Sequence, residues 1–234
     1  MLLSVVIPTE NAAAELPATL SALRDDIART CGTKGLQVPD IEIVVCDASS
    51  SDGTAAVAER LGARVVTAPA GGAQLRAGAE AARGEWLLFL HSATRLGEGW
   101  SARVAGFVAN PANLGQAAAF RFRVSDERKW ARRLEAIFDG RSKWLGLPSG
   151  DQGLLISKPF YDSLGGYPEV PMMEDVEMIR RIGAERLRVL PIAAINSAAR
   201  YQGDDWWKRM MQDALCVGLW FAGVPANRVM RLYR

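Results

Sequence analysis

Glu174 and Asp175 are adjacent carboxylates at the head of an apparent helix, six residues after the turn Gly165-Gly166-Tyr167-Pro168. Glycine and proline at this spacing fix a tight backbone, and a helix N-terminus favours negative charge. Such a pair either simply opens a helix or does chemistry, and two other stretches argue for chemistry. Gly146-Leu147-Pro148-Ser149-Gly150-Asp151-Gln152-Gly153 is a second tight polar turn, whose Asp151 and Gln152 have no obvious helix to cap. The beginning of the chain, from Leu2 to Thr9 and on to Asp47, adds a third patterned stretch.

The elements that would position these groups follow from hydrophobic periodicity. Leu2 to Ile7, ending at Pro8, is a short β-branched run suited to a buried parallel strand. Leu16, Leu20, Leu23 and Ile27 lie on one helical face. Ile41 to Cys46 is a second strand with Asp47 at its carboxyl end. Thr54 to Leu61 is a helix, Arg64 to Val66 a strand, Ala73 to Ala82 a helix and Trp86 to Leu90 a fourth strand. This alternation predicts a doubly wound α/β sheet, which binds ligands at the carboxyl ends of its strands, where Thr9, Asp47 and His91 would gather. The second half loses the alternation: it holds a polar strand (Ala117 to Val124), a basic helix, the two turns and a Trp- and Met-rich tail.

With 234 residues, 49% apolar and 23% charged, the chain is long enough for one domain with a substantial core. A net charge of +2 argues against nucleic acid as a partner. Cys31, Cys46 and Cys216 are odd in number and lack metal-ligand spacing, which points to a reduced, cytoplasmic setting. The apolar start reads as a strand rather than a signal peptide, and no apolar run reaches the roughly 18–20 residues of a membrane span.

Taken in order, these segments resemble a family-2 glycosyltransferase of the GT-A fold, in particular the bacterial branch called radical-SAM/selenodomain-associated transferase 2. The matching segments are Val5-Val6-Ile7-Pro8-Thr9 with Asn11, Ile43 to Asp47 leading to Ser51-Asp52-Gly53-Thr54, and Leu88-Phe89-Leu90-His91 with Thr94-Arg95-Leu96. The Gly146–Gly153 turn, Met173-Glu174-Asp175-Val176-Glu177, Ser197-Ala198-Ala199-Arg200 and the stretch from Gly223-Val224-Pro225 to Leu232-Tyr233-Arg234 complete the set. The resemblance implies one α/β domain over 1–234, with a nucleotide-binding half (1–96), an acceptor and catalytic half (97–200) and a helical tail (201–234). It implies a nucleoside-diphosphate sugar donor, most simply UDP-linked, and an inverting displacement in which Asp175 takes the acceptor proton and Glu174 orients it. Asp47 would read the base by accepting from an imide N–H, with loop capping as the alternative. Asp52 before Gly53-Thr54 reads as a helix N-cap, with a ligand contact as the alternative. Pro8, Thr9 and Asn11 would line the donor, and Asp151 and Gln152 the donor and acceptor sugars, with a purely structural turn as the alternative.

The chain departs from that pattern at donor-facing positions. The family usually holds Mg²⁺ or Mn²⁺ with a D-x-D-like motif, which in this branch reads His-Ala-Asp-Thr. Here it is His91-Ser92-Ala93-Thr94, and the Ala93 methyl offers no oxygen. His91 could contact a phosphate or pack at a strand end. The family's acidic residue after Asn11 is Ala12, and two arginines ahead of the third helix are missing from Ala70-Gly71-Gly72-Ala73-Gln74. Arg76, where the family usually has Asn, could compensate at the diphosphate. The alternative to an enzyme is a nucleotide-sugar-binding protein that lost turnover with its metal ligand. A nucleotidyltransferase is disfavoured, since Pro8 to Glu15 carries no Gly-rich basic loop.

Between Arg121 and Lys143 stand eight basic and four acidic residues, and Trp130, Leu134, Ile137 and Phe138 share a helical face. The face suits either packing on the sheet or an anionic surface. Trp206, Trp207, Met210, Met211 and Leu215 in the tail suit core packing, a homodimer face or an interfacial anchor. A lipid-linked acceptor would dock on these two segments, at the inner face of the membrane.

Overall fold

The β-branched run at the start of the chain forms the central strand of a mixed sheet, buried on both faces from Leu3 to Ile7. A computed structural model of the chain describes residues 2–31, 40–198 and 206–233. The first half is β1 (Leu2–Thr9), α1 (Leu16–Thr30), β2 (Asp40–Asp47), α2 (Thr54–Arg60), β3 (Arg64–Thr67), α3 (Gly72–Ala81) and β4 (Trp86–Phe89). After it come β5 (Thr94–Leu96), α4 (Trp100–Val108), β6 (Ala117–Val124), α5 (Lys129–Leu145), β7 (Leu154–Ser157), α6 (Lys158–Ser163), α7 (Glu174–Ile182), β8 (Leu187–Asn196), α8 (Trp206–Phe221) and α9 (Ala226–Tyr233).

The eight strands lie in the order β3-β2-β1-β4-β7-β6-β8-β5. Pairing is parallel from β3 to β4, then antiparallel through β7 to β6. β8 runs parallel to β6 and pairs antiparallel with β5. The sheet therefore continues past the point where strand–helix alternation stops. Because β7 is reversed, its amino end meets the carboxyl ends of β1, β2 and β4 at one edge. Alternate residues of β1 feed two core layers. Leu3, Val5 and Ile7 pack with Leu16, Leu20 and Leu23 of α1. Val6 faces Leu75 and Ala79 of α3 and, further along, Met178, Ile179 and Ile182 of α7.

One expectation needs correction. β6 has the predicted bounds but is not polar: every residue except Arg121 and Arg123 is buried, because the strand lies inside the sheet. α5 uses its apolar face to cover that strand. Leu134 and Phe138 are buried, Phe138 stacks on Phe122 at 4.0 Å, and Ile137 is left outside. Trp144 and Leu145 at the end of α5 are exposed, as are Trp207, Met211 and Leu215 along α8. No helix among the described residues is long and apolar enough to cross a membrane. Ala199, Arg200 and Arg234 of the sequence pattern lie outside the described residues, as do the side chains of Trp206 and Tyr233.

Candidate functional site

Strand order brings Asp47, Thr9, His91 and the Gly150–Gln152 turn to one edge of the sheet, in that sequence across β2, β1, β4 and β7. Asp47 is buried. Its Oδ1 accepts from Thr9 Oγ1 at 2.9 Å and Ser50 Oγ at 2.6 Å, and its Oδ2 accepts from Ser50 N at 2.8 Å. The carboxylate thus caps the loop after β2, and each oxygen retains at most limited acceptor capacity. Thr9 is also buried, so its hydroxyl orients Asp47 rather than lining open space. Exposed Asn11, at φ 50°, couples the neighbouring loops: its N–H donates to Ser50 Oγ, and its Oδ1 accepts from Ser51 N. Pro8 is half-buried beside Cys46 in the parallel register. Asp52 is not the N-cap expected of it: Gly53 takes that position in α2, and Asp52 one residue earlier accepts from Thr54 N at 3.0 Å and ties in Ala13 N at 2.9 Å. Burial pushes the Cys46 thiol up to about 12, which leaves it inert beneath the edge.

Glu174 and Asp175 open α7 directly after Met173, a non-glycine residue at φ 67°. That left-handed conformation is uncommon for such a side chain and marks a backbone held by its surroundings. The holding contacts are explicit. Gly72 N donates to Val170 O at 2.9 Å. Arg76 Nε and Nη2 donate to Tyr167 O and Gly165 O at 2.9 and 2.8 Å, and Arg76 lies 3.6 Å from Glu169. Arg181 Nη1 donates to Leu164 O and Gly166 O. A Cβ on Gly72 would overlap Pro168 O and approach Glu174 Cβ to 3.2 Å, so this contact requires glycine. Arg76 Nε and Nη2 are thus turned onto loop carbonyls, away from the diphosphate role expected for this side chain. In α7, Arg180 and then Arg181 hold the Glu177 carboxyl down to about 2.

The two adjacent acids differ. Asp175 Oδ2 accepts from Gly150 N at 2.9 Å and Oδ1 from Val176 N at 2.7 Å. Burial, and secondarily the Asp175 charge, push Glu174 up to about 7. His91 faces the same place: its Nε2 and Asp175 Oδ2 lie 2.9 and 3.2 Å from where a Gly150 Cβ would stand. Gln152 is fully buried, with Nε2 donating to Phe120 O and Oε1 accepting from Ser142 Oγ and Ser149 N. It anchors the turn beneath β6, and the expected sugar contact is corrected to a structural one. Asp151 stays half-buried at the edge, and Asn196 binds its carbonyl.

The residues at the end of β4 do not fit a Mg²⁺ or Mn²⁺ ion. Ala93 presents a methyl, Ser92 O accepts from Thr19 Oγ1, and His91 is a single nitrogen donor. Among the described residues no three His, Cys, Asp or Glu side chains converge as a metal site would need. Ala12, at the other altered position, is buried and its N–H is bound by Thr54 Oγ1. Sequence reasoning missed Ser50, Gly72, Gly150 and Met173. Ser50 and Gly150 sit in segments whose turn chemistry was visible; the Met173 backbone had no local signal.

A family model described as glycosyl transferase family 2 matches residues 4–163. Curated PGL/p-HBAD biosynthesis glycosyltransferases from Mycobacterium bovis and Mycobacterium tuberculosis are 39% identical over 115 residues, 45% of this chain and 41% of theirs, so the match spans under half the length of those relatives. Among solved structures, a mannosyltransferase from Pyrobaculum calidifontis in complex with GDP-Man and Mn²⁺ aligns with a TM-score of 0.66 at 18% identity, over 94% of this chain and 63% of that one. Glucosyl-3-phosphoglycerate synthase from Mycobacterium tuberculosis, in complex with Mn²⁺, UDP and glucosyl-3-phosphoglycerate, aligns at 0.59 with 23% identity, over 95% of this chain and 80% of that one. The shared architecture is the GT-A fold.

Proposed function

We propose that this chain, which belongs to glycosyl transferase family 2, transfers a sugar from a nucleoside-diphosphate donor, UDP-linked, to a hydroxyl acceptor with inversion. The observation that carries the reading is the seat of Asp175. Its carboxylate is anchored by Gly150 N at the sheet edge that also bears Asp47 and His91. A base must be held still within reach of the proton it takes, and two backbone N–H groups restrain this one.

In the proposed reaction Asp47 reads the base through its remaining lone pair, with Thr9, Asn11 and Ser50 fixing its orientation. Pro8 shapes the strand end beside it, and Asp151 meets the sugars from the turn before β7. The acceptor oxygen attacks the anomeric carbon and its proton passes to Asp175. The bond from that carbon to the diphosphate oxygen breaks, and the electron pair leaves with the nucleoside diphosphate. Glu174, pushed up to about 7 by burial and by the Asp175 charge, carries less negative charge beside the base than an ordinary carboxylate would. Mg²⁺ or Mn²⁺ does not enter, because the donor set around Ala93 does not suit it. An acceptor with a lipid tail fits the exposed Trp207, Met211 and Leu215, and would bring the protein to the inner face of a membrane.

The test is release of nucleoside diphosphate from a panel of UDP-, GDP- and dTDP-sugars. One donor should be turned over, and Asp175→Asn should slow it by roughly 10²–10⁴-fold while nucleotide binding survives. Unchanged turnover in Asp175→Asn would remove the assigned base. Ala93 favours a second reading, a nucleotide-sugar-binding protein without turnover. Tight donor binding with no release from any donor would select it.

A further inference from the structure

We propose that His91 is the group that meets the leaving diphosphate, in a donor site that works without a divalent cation. The inference rests on the transferase reading above and assigns the charge-stabilising role that reading leaves open. It follows from which polar groups at the sheet edge are already spent. Thr9 donates to Asp47, which also accepts from Ser50. Asn11 engages Ser50 through its backbone N–H and Ser51 through its Oδ1. Gln152 is used up beneath β6, and Arg76 turns its Nε and Nη2 onto the 165–169 segment. The His91 imidazole is half-buried at the same edge, and no hydrogen bond joins it to a described residue.

Its surroundings suit an anion on one side and the base on the other. β4 lies between β1, whose end orients Asp47, and β7, whose preceding turn anchors Asp175. Asp47 is two strands away, about 10 Å at ordinary strand spacing. Gly150 supplies the clearance: a Cβ there would stand 2.9 Å from His91 Nε2 and 3.2 Å from Asp175 Oδ2, so any side chain would press on both. As the anomeric carbon–oxygen bond breaks, negative charge grows on the diphosphate, and a fixed N–H donor there stabilises the transition state. The imidazole donates a hydrogen bond and gives up no proton, while the acceptor proton goes to Asp175.

Calorimetric titration of UDP, GDP, ADP and dTDP into the full chain, in Mn²⁺ and again in EDTA, tests the assignment without needing the acceptor. The expected result is one nucleotide bound equally well in both buffers. His91→Ala should weaken it about tenfold, the worth of one hydrogen bond to a charged group, and His91→Gln should recover part of the loss. Ala93→Asp, which leaves His91 untouched, should make binding tighter in Mn²⁺ than in EDTA. A folded His91→Ala variant with undiminished affinity would overturn the inference and leave the transferase reading standing; wild-type binding lost in EDTA would overturn it together with the metal-free donor site, leaving sugar transfer with Asp175 as base. No binding of any of the four nucleotides would overturn both.

Discussion

Glu174 and Asp175 are neighbours in sequence with opposite surroundings. Asp175 receives two backbone N–H groups, whereas Glu174 is desolvated beneath Gly72 and beside a second carboxylate. The consequence for stability has a definite sign. A carboxyl at about 7 in the folded chain and an ordinary 4.5 in the unfolded one favours folding below about 4.5 and loses that contribution as pH rises through 7. Glu174→Gln should therefore flatten the fall in stability across that window, with a larger gain at pH 8 than at pH 5; denaturant melts at the two values check it, and an equal shift at both would refute it. At this scale the sequence was legible where function is local. Asp52 beside a helix start and the acids opening α7 were readable from spacing alone. Gln152 and Arg76 were not, because their partners, Phe120 and Tyr167, lie 32 and 91 residues away.

The element that matters most is the segment from Gly165 to Met173, pinned between α3 and α7. Arg76 and Arg181 grip its carbonyls from the two helices, and Gly72 lets its backbone lie against α3. Gly72→Ala forces Pro168 away and should cost about 1–3 kcal/mol, read as a lower Tm. The same variant should lose transfer more than nucleotide affinity, since Glu174 and Asp175 follow the displaced segment; full transfer in a destabilised variant would separate the segment from catalysis. Elements β1 to β4 and α1 to α3 were readable within a few residues, because each carries its own period and the parallel half repeats one unit. β5, β7 and β8 were not. They are short, or, like β8, alternate irregularly between buried and exposed positions, and their pairing is set by distant strands.

At the scale of the whole molecule, an eight-stranded GT-A sheet collects residues from four strands and one helix start at a single edge. The exposed line Trp207, Met211 and Leu215 on α8, with Arg228 and Arg231 exposed on α9, stands outside both core layers. If it receives a lipid-linked acceptor, replacing all three apolar residues by Ser should lower sedimentation with phosphatidylglycerol vesicles. Unchanged sedimentation together with loss of a dimer in light scattering would assign the face to self-association instead. The general sheet architecture was legible because β-branched runs and helical periods recur through the first half. The face on α8 was legible only as an apolar segment, since which side stays open depends on what the rest of the chain covers. The central claim, direct displacement with Asp175 as base, is tested most directly by proton NMR of the sugar first released from an α-linked donor. The account predicts the β-anomer at early times, appearing with the nucleoside diphosphate and slowed in Asp175→Asn. Early release of the α-anomer would contradict it.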